Sequence, residues 1–453
     1  MSLSPTARPG QGTVRVGGRV DSLTGLRWFA ALGVFCFHIA PTLAPLAVLV
    51  PLMRTGYEGV PFFFVLSGFV LTWSARPGDS IRSFYVRRFA RVWPLLAVTL
   101  LPALAIVHFW DRAPFSPSGT LTTLTLTQAW TTDDFYTANI VTWTLSCEAF
   151  FYLLHPFLLR ALARLRPPGL LAVAAVMTLL TLLTRIWPGS DGLSFEVDRL
   201  TYASPLALTP MFVVGMCTAL AVRQGWRPRL GVPPVLGLLA LVVALRWRSS
   251  FQPGLIPGLP PTSGDFDAVV VPLFALLIAA AALGDLERGG RLLASPFLVR
   301  LGEWSFAFYL VHFTVLTAFE HYGVPDRAGD SPAGQLLVTL LMLAAAVLVA
   351  AGCHLAVEKP ADRRIRTALR ASRTAADSGP ASASGSGSAA GSGSELRQQS
   401  PDGQRAQDPR DGLDRAPVAA VVQQHDVPGQ RALGGPDDGV GTGPGPVADV
   451  DLP

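Results

Sequence analysis

The chain has 453 residues, half of them hydrophobic and only 15% charged, and its mean hydropathy is +0.41. Soluble proteins have about 25% charged residues, so this composition excludes an ordinary soluble protein and predicts an all-α polytopic membrane protein. The net charge of +5 comes from scattered arginines, because Lys359 is the only lysine, which excludes a lysine-dependent phosphate loop and disfavours a nucleic-acid partner.

Ten segments have the length and apolarity of membrane spans, which require about 20 residues each. The first segment carries Arg27 and His38 and is followed by many others, so we expect an uncleaved span rather than a signal peptide. The predicted spans are 23–41, 59–75, 92–110, 141–160, 169–187, 202–222, 231–247, 268–284, 297–319 and 334–357.

The distribution of basic residues predicts the orientation of these spans, because cytoplasmic loops are enriched in Lys and Arg. With a cytoplasmic N-terminus and alternating spans, cytoplasmic segments contain 24 basic residues and external segments contain seven. We therefore expect both termini in the cytoplasm. The predicted parts are a cytoplasmic segment at 1–20, a ten-helix membrane domain at 21–370, and a disordered Ser-, Gly- and Pro-rich tail at 371–453 that contains too few apolar residues for a core.

The cysteines lie singly in apolar segments, without a CxxC spacing. This pattern is typical of small buried side chains. It predicts neither a disulfide framework nor a metal site. The four residues are Cys36, Cys147, Cys217 and Cys353.

Arg27 and His38 form the first candidate pair for chemistry. Eleven helical steps leave them about 20° apart around the helix and about 16 Å apart along it, so both lie on one face. Ionisable groups inside a bilayer are costly and mark functional sites. The alternative interpretation is a buried histidine satisfied by a neighbour, with an arginine that reaches the membrane surface.

Arg88 and Arg91 are one helical turn apart at the cytoplasmic entrance of the third span. Two guanidinium groups on one face suit bidentate hydrogen bonding to phosphate. The alternative is that this basic run only directs membrane orientation and contacts anionic lipid.

Three further polar residues fall within predicted spans. Glu148 lies about 8 Å into the fourth span, where a carboxyl group must pair with a cation or be protonated. Tyr309 and His312 are one turn apart in the ninth span, with His312 at mid-depth. The alternative for this pair is hydrogen bonding between helices.

These features together resemble the acyltransferase-3 family of bacterial integral-membrane O-acyltransferases. The matching residues follow the family order over about 21–366, with the expected ten-helix topology. They are Arg27 with His38; the segment GVPFFFVLSGF at 59–69; Phe84, Tyr85, Arg87, Arg88, Phe89, Ala90, Arg91 and Pro94; Trp143 to Glu148 with Phe151 and Tyr152; Ser305 with Tyr309 and His312; and Glu358-Lys359-Pro360.

The resemblance implies transfer of an acyl group, usually acetyl, from cytoplasmic acyl-CoA to a hydroxyl of a carbohydrate, a glycolipid or a secondary metabolite such as a macrolide. It implies a multi-pass protein of the bacterial cytoplasmic membrane, of the type without a fused esterase-like domain, in which acyl-CoA is a co-substrate and no cofactor is held permanently. His38 is expected to be central to catalysis, with Glu148, Tyr309 and His312 in supporting roles. Arg88, Arg91 and Arg27 are expected to bind the donor.

Two other functions compete with acyl transfer. Membrane-buried His and Glu also build proton relays in transporters and proton-coupled carriers, but 1–200 and 200–370 show no convincing similarity to each other of the kind that transporter repeats produce. A non-catalytic scaffold would not require Arg27 to share a helix face with His38, or Arg88 to share one with Arg91.

Overall fold

The computed structural model describes residues 20–46, 48–76, 78–110, 115–131, 133–186, 203–252, 266–287, 292–329, 331–365 and 367, and the regular elements in these ranges are helical. The first seven helices are α1 (Asp21–Ile39), α2 (Val50–Arg54), α3 (Gly59–Ser74), α4 (Ile81–Phe109), α5 (Pro117–Leu124), α6 (Trp143–Leu162) and α7 (Pro167–Ile186). The remaining six are α8 (Pro205–Arg223), α9 (Val232–Ser249), α10 (Asp267–Glu287), α11 (Pro296–His321), α12 (Val324–Arg327) and α13 (Pro332–Cys353). The predicted tail at 371–453 and nearly all of the segment at 1–20 lie outside the described ranges.

The all-α polytopic fold is confirmed. Nine helical segments among the described residues are long and apolar enough to cross a membrane, and each coincides with a predicted span. The remaining predicted span, 297–319, is the 26-residue helix α11, which is not among the nine. Its length of about 39 Å would cross a bilayer, but it carries polar residues such as Ser305 and His312, both buried in protein. The orientation of the termini remains a prediction.

Helix α4 begins ahead of its predicted span, which starts at 92. The side chain of Ser80 accepts a hydrogen bond from the backbone N–H of Ser83 at 3.1 Å and so caps the helix. Arg82, Arg87, Arg88 and Arg91 therefore lie on regular helix. Apolarity marks where a chain enters the bilayer, whereas the cap decides where the helix begins.

Two pairs of helices approach so closely that glycine is required between them. Helix α3 packs along α8, where a Cβ at Gly68 would overlap the carbonyl oxygen of Phe212. Helix α1 packs along α11, where a Cβ at Gly302 would overlap the carbonyl oxygen of Thr24. Small residues at such contacts allow backbones in a membrane to touch. The second contact brings the face that carries Arg27 and His38 against α11.

Candidate active site

His38 and His312 lie side by side at the contact between α1 and α11. The distance between His38 Nδ1 and His312 Nε2 is 3.1 Å, and both residues are buried. Aromatic rings surround the pair: Phe37 and Phe313 approach His38 edge-on, and Phe308 stacks on His312. The structure thus joins two residues that the sequence separates by 274 positions.

The hydrogen bonds around this pair assign the protons of the neutral imidazoles. His312 Nδ1 faces the carbonyl oxygens of Tyr309 at 2.7 Å and Phe308 at 3.3 Å. Carbonyl oxygens only accept, so His312 Nδ1 carries the proton and its Nε2 is an acceptor. His38 Nδ1 faces that acceptor and the carbonyl oxygen of Val34 at 3.1 Å, so it also carries a proton.

The remaining nitrogen of the pair, His38 Nε2, is therefore unprotonated in the neutral state. It is buried and has no hydrogen-bond partner among the described residues. Buried polar atoms are nearly always satisfied by protein or water, so a free basic nitrogen at this position needs a partner. An incoming hydroxyl group is such a partner.

Arg27 lies on the same face of α1, nearer the end predicted to be cytoplasmic. Its Nη2 donates to the Ser305 hydroxyl at 2.6 Å, and that hydroxyl donates to the Gly302 carbonyl oxygen at 2.9 Å. The charges of Glu358 and Glu148 also act on this buried guanidinium. Arg27 thus connects α1 to α11 below the histidine pair.

Arg88 and Arg91 share a face of α4 but contact different neighbours. Arg91 forms an ion pair with the buried carboxylate of Glu358 and lies over the ring of Phe306. Arg88 is buried, with its guanidinium over the ring of Phe84. Arg91 therefore contacts α11 and the segment that follows α13, whereas Arg88 lies against Phe84 of its own helix.

Glu358 belongs to a one-turn π-helix, His354–Glu358, at the end of α13. Its second carboxylate oxygen lies 2.9 Å from His354 Nδ1, so one carboxylate holds both Arg91 and His354. Turns of this kind occur frequently at functional sites. Sequence analysis included Glu358 only as part of a motif and missed His354, although a His and a Glu four residues apart would share a helix face.

Glu148 is buried beside the arginines. Tyr152 Oη donates to its Oε2 at 3.0 Å, and the Ser67 side chain and the positive charges of Arg88 and Arg27 act on the same carboxyl group. The described hydrogen bonds of Glu148 do not include an imidazole. The prediction that it orients a histidine or pairs with an arginine remains a prediction.

The Tyr309 side chain points away from the histidine pair. Its hydroxyl donates to the carbonyl oxygen of Val141 at 2.9 Å, while its backbone carbonyl accepts from His312. Asn139, in the segment that precedes α6, donates from Nδ2 to the carbonyl oxygen of Leu310 at 2.8 Å. The segment before α6 is thus hydrogen-bonded to α11 at Tyr309 and at Leu310. Sequence analysis missed Asn139, which lies in a loop without a recognisable motif.

The structure is that of a polytopic membrane protein whose helices bury several ionisable groups close together. A family model for acyltransferase-3 proteins, described as an acyltransferase domain, matches residues 20–354. The chain belongs to this family and is a membrane-bound O-acyltransferase. His38 and His312 both fall within the matched residues.

Several named proteins are similar to this chain, two of them named as acyltransferases. The acyltransferase MdmB of Streptomyces mycarofaciens is 37% identical over 80% of this chain and 97% of the relative. The peptidoglycan O-acetyltransferase OatA of Listeria monocytogenes is 23% identical over 66% of this chain, which spans 49% of that relative. Nodulation protein 10 of Rhizobium leguminosarum is 27% identical over 57% of this chain and 71% of the relative. No solved structure matches the chain.

Proposed function

We propose that the protein transfers an acyl group, acetyl in the simplest case, from acyl-CoA to a hydroxyl group, and that His38 is the general base. The observation that carries this proposal is the Nε2 of His38, which is unprotonated in the neutral state, lies next to His312 and has no hydrogen-bond partner among the described residues. An alcohol is a weak nucleophile until a base removes its proton. A neutral imidazole is the side chain best suited to accept that proton near neutral pH.

In the proposed step, the acceptor oxygen attacks the thioester carbonyl while its proton moves to His38 Nε2. The resulting imidazolium keeps its Nδ1–H on the Val34 carbonyl oxygen and His312 Nε2. When the tetrahedral intermediate collapses, the C–S bond breaks and His38 returns the proton to the departing thiolate. His312 is then a positioning residue, because it fixes which nitrogen of His38 faces the substrate.

The arginines would bind the donor at the predicted cytoplasmic end. Arg27 is about 16 Å along α1 from His38, a distance that the extended arm of CoA can cover between its phosphates and its thioester. Arg88 and Arg91 are proposed to contact the donor's phosphates, with Arg91 also held by the carboxylate of Glu358. Arg91 would support Arg27 through that carboxylate.

We further propose that the protein resides in the bacterial cytoplasmic membrane, with both termini and the arginine-rich end of α4 in the cytoplasm, where acyl-CoA is made. The test is a pair of topology reporters. A reporter after Arg370 should report the cytoplasm, and one inserted near Phe115 should report the outside. The opposite result at either position would contradict the proposed orientation.

The acceptor is proposed to be a carbohydrate, a glycolipid or a secondary metabolite. Its identity can be tested by mass spectrometry of glycans and small metabolites from cells with and without the gene. One product should gain the mass of an acyl group only when the gene is present. A proton-coupled carrier would instead change the distribution of a solute across the membrane without adding an acyl group to any product.

A further inference from the structure

A basic pocket of about 180 Å³ lies where the end of α3, the start of α4 and the end of α6 meet. Four arginines line it, and a stacked wall of Phe84 and His155, with ring centroids 5.1 Å apart, forms one side. The four are Arg76, Arg87, Arg88 and Arg160.

The pocket has a clear excess of positive charge. Asp79 is the one acidic residue among the described lining residues, and it accepts from Arg87 at 3.1 Å. Arg76 and Arg160 are exposed and make no ion pair with the described residues. The first residue of the 29-residue helix α4, Ile81, also lines the pocket, and the partial positive charge of a helix N-terminus favours anions.

Membrane orientation alone does not explain this arrangement. Arg164 and Arg166 would serve as cytoplasmic charges without lining the pocket. The pocket arginines instead come from three separate stretches of the chain and converge on one cavity. Arg88 also connects the pocket with the interior, because its charge acts on the buried Glu148.

We propose that this pocket binds the phosphate groups of the donor's nucleotide, with Arg76, Arg87 and Arg160 as ligands in addition to Arg88. The inference rests on the proposed use of acyl-CoA and extends its binding site beyond the residues that the family motifs include. The chemistry recognised is a phosphate ester at the cytoplasmic surface. The headgroup of an anionic lipid presents the same chemistry, so the experiment must separate the two sources.

The test uses the purified full chain in nanodiscs of neutral phosphatidylcholine and measures the binding of CoA and of pantetheine, which lacks the nucleotide. The variant is Arg76→Ala/Arg160→Ala, and the matched control is Arg164→Ala/Arg166→Ala, which removes the same charge outside the pocket. Arg76 and Arg160 are exposed, so the variant should fold. We expect the Kd for CoA to rise about fivefold or more in the variant, with pantetheine binding unchanged and the control equal to the parent.

Three results would overturn the inference. Equal CoA binding by parent and variant in neutral nanodiscs, with a loss of bound phosphatidylglycerol in mixed nanodiscs, would identify a lipid site instead. An equal rise in Kd for the variant and the control would mean that general surface charge, rather than the pocket, attracts CoA. A parent chain that binds no CoA at all would refute the proposed donor itself. This outcome is distinguishable from failure of the pocket alone, because it is observed in the parent before any variant is compared.

Discussion

The buried polar residues along α1 and α11 form two groups, a histidine pair at one end and a group of arginines and carboxylates at the other, and the two groups differ in chemistry. At one end, His38 and His312 form a hydrogen-bonded pair whose protons can be assigned to neutral rings, surrounded by aromatic side chains. At the other end, Arg27 and Arg91 lie among carboxylates, with Glu358 as the ion-pair partner of Arg91. Among the described residues, His38 Nε2 at the first end has no hydrogen-bond partner, whereas the second end has the buried ion pair of Arg91 and Glu358.

In the proposed function, the two ends have different tasks. A proton acceptor must exchange its proton in each turnover, which requires a group with an available lone pair. A site that holds phosphate needs permanent positive charge, and such charge is costly inside a protein unless it is paired. The helices keep these tasks about 16 Å apart on one helix face. Substitutions at the two ends should therefore have different consequences.

Replacing His38 should have the largest effect on rate. His38→Ala removes the proposed base, so turnover should fall on the order of 10²- to 10⁴-fold while CoA binding is retained. The measurement is acyl transfer by purified protein once the acceptor is known. His108→Ala, at an exposed histidine on α4, is the control and should match the parent. If His38→Ala transfers acyl groups at the parental rate, His38 is not the base.

Removing the charge of Glu358 should reduce stability more than it reduces chemistry. Glu358→Gln leaves the guanidinium of Arg91 without its buried counter-ion, which should lower the free energy of unfolding by about 3 kcal/mol. The measurement is denaturant or thermal unfolding in detergent. The double variant Arg91→Gln/Glu358→Gln should recover part of the loss, because neither charge is then buried alone. A single variant as stable as the parent would mean that the ion pair has no net value.

Replacing His312 should reduce turnover less than replacing His38. His312→Ala removes the acceptor for His38 Nδ1–H, and rates should fall about 10- to 100-fold, as for other residues that orient a reactive imidazole. His312→Gln restores an acceptor oxygen and should recover part of the rate. The pH dependence of turnover should shift in the Ala variant, which a purely structural residue would not cause. An unchanged rate and pH profile would remove His312 from the site.

The glycine contact between α1 and α11 should give the smallest effect. Gly302→Ala places a methyl group against the Thr24 carbonyl oxygen and should force the helices apart, at a cost of about 1–3 kcal/mol in unfolding free energy. Turnover should also fall, because the distance between His38 and His312 depends on this contact. Gly237→Ala, on an exposed part of α9 where a Cβ meets no other atom within 4 Å, is the matched control. Equal stability of both variants would contradict the close contact.

The sequence by itself determined the all-α polytopic fold and the face shared by Arg27 and His38. Apolar segments of bilayer length are a local property, and the alignment of two residues on one helix follows from the helical repeat. The same local rules are why nine predicted spans coincide with observed helices. Apolarity is a weaker signal for α11, because a helix that is largely surrounded by protein does not need a continuous apolar surface.

Only the tertiary structure decided which polar groups meet. The sequence placed His312 and His38 at similar depth, but their contact depends on how α1 packs on α11 through Gly302. It also placed Arg88 and Arg91 on one face, whereas Glu358, more than 260 positions away, holds the second of them. Such contacts depend on helix packing between distant segments, and no local pattern of hydropathy or spacing encodes which helix will be the neighbour.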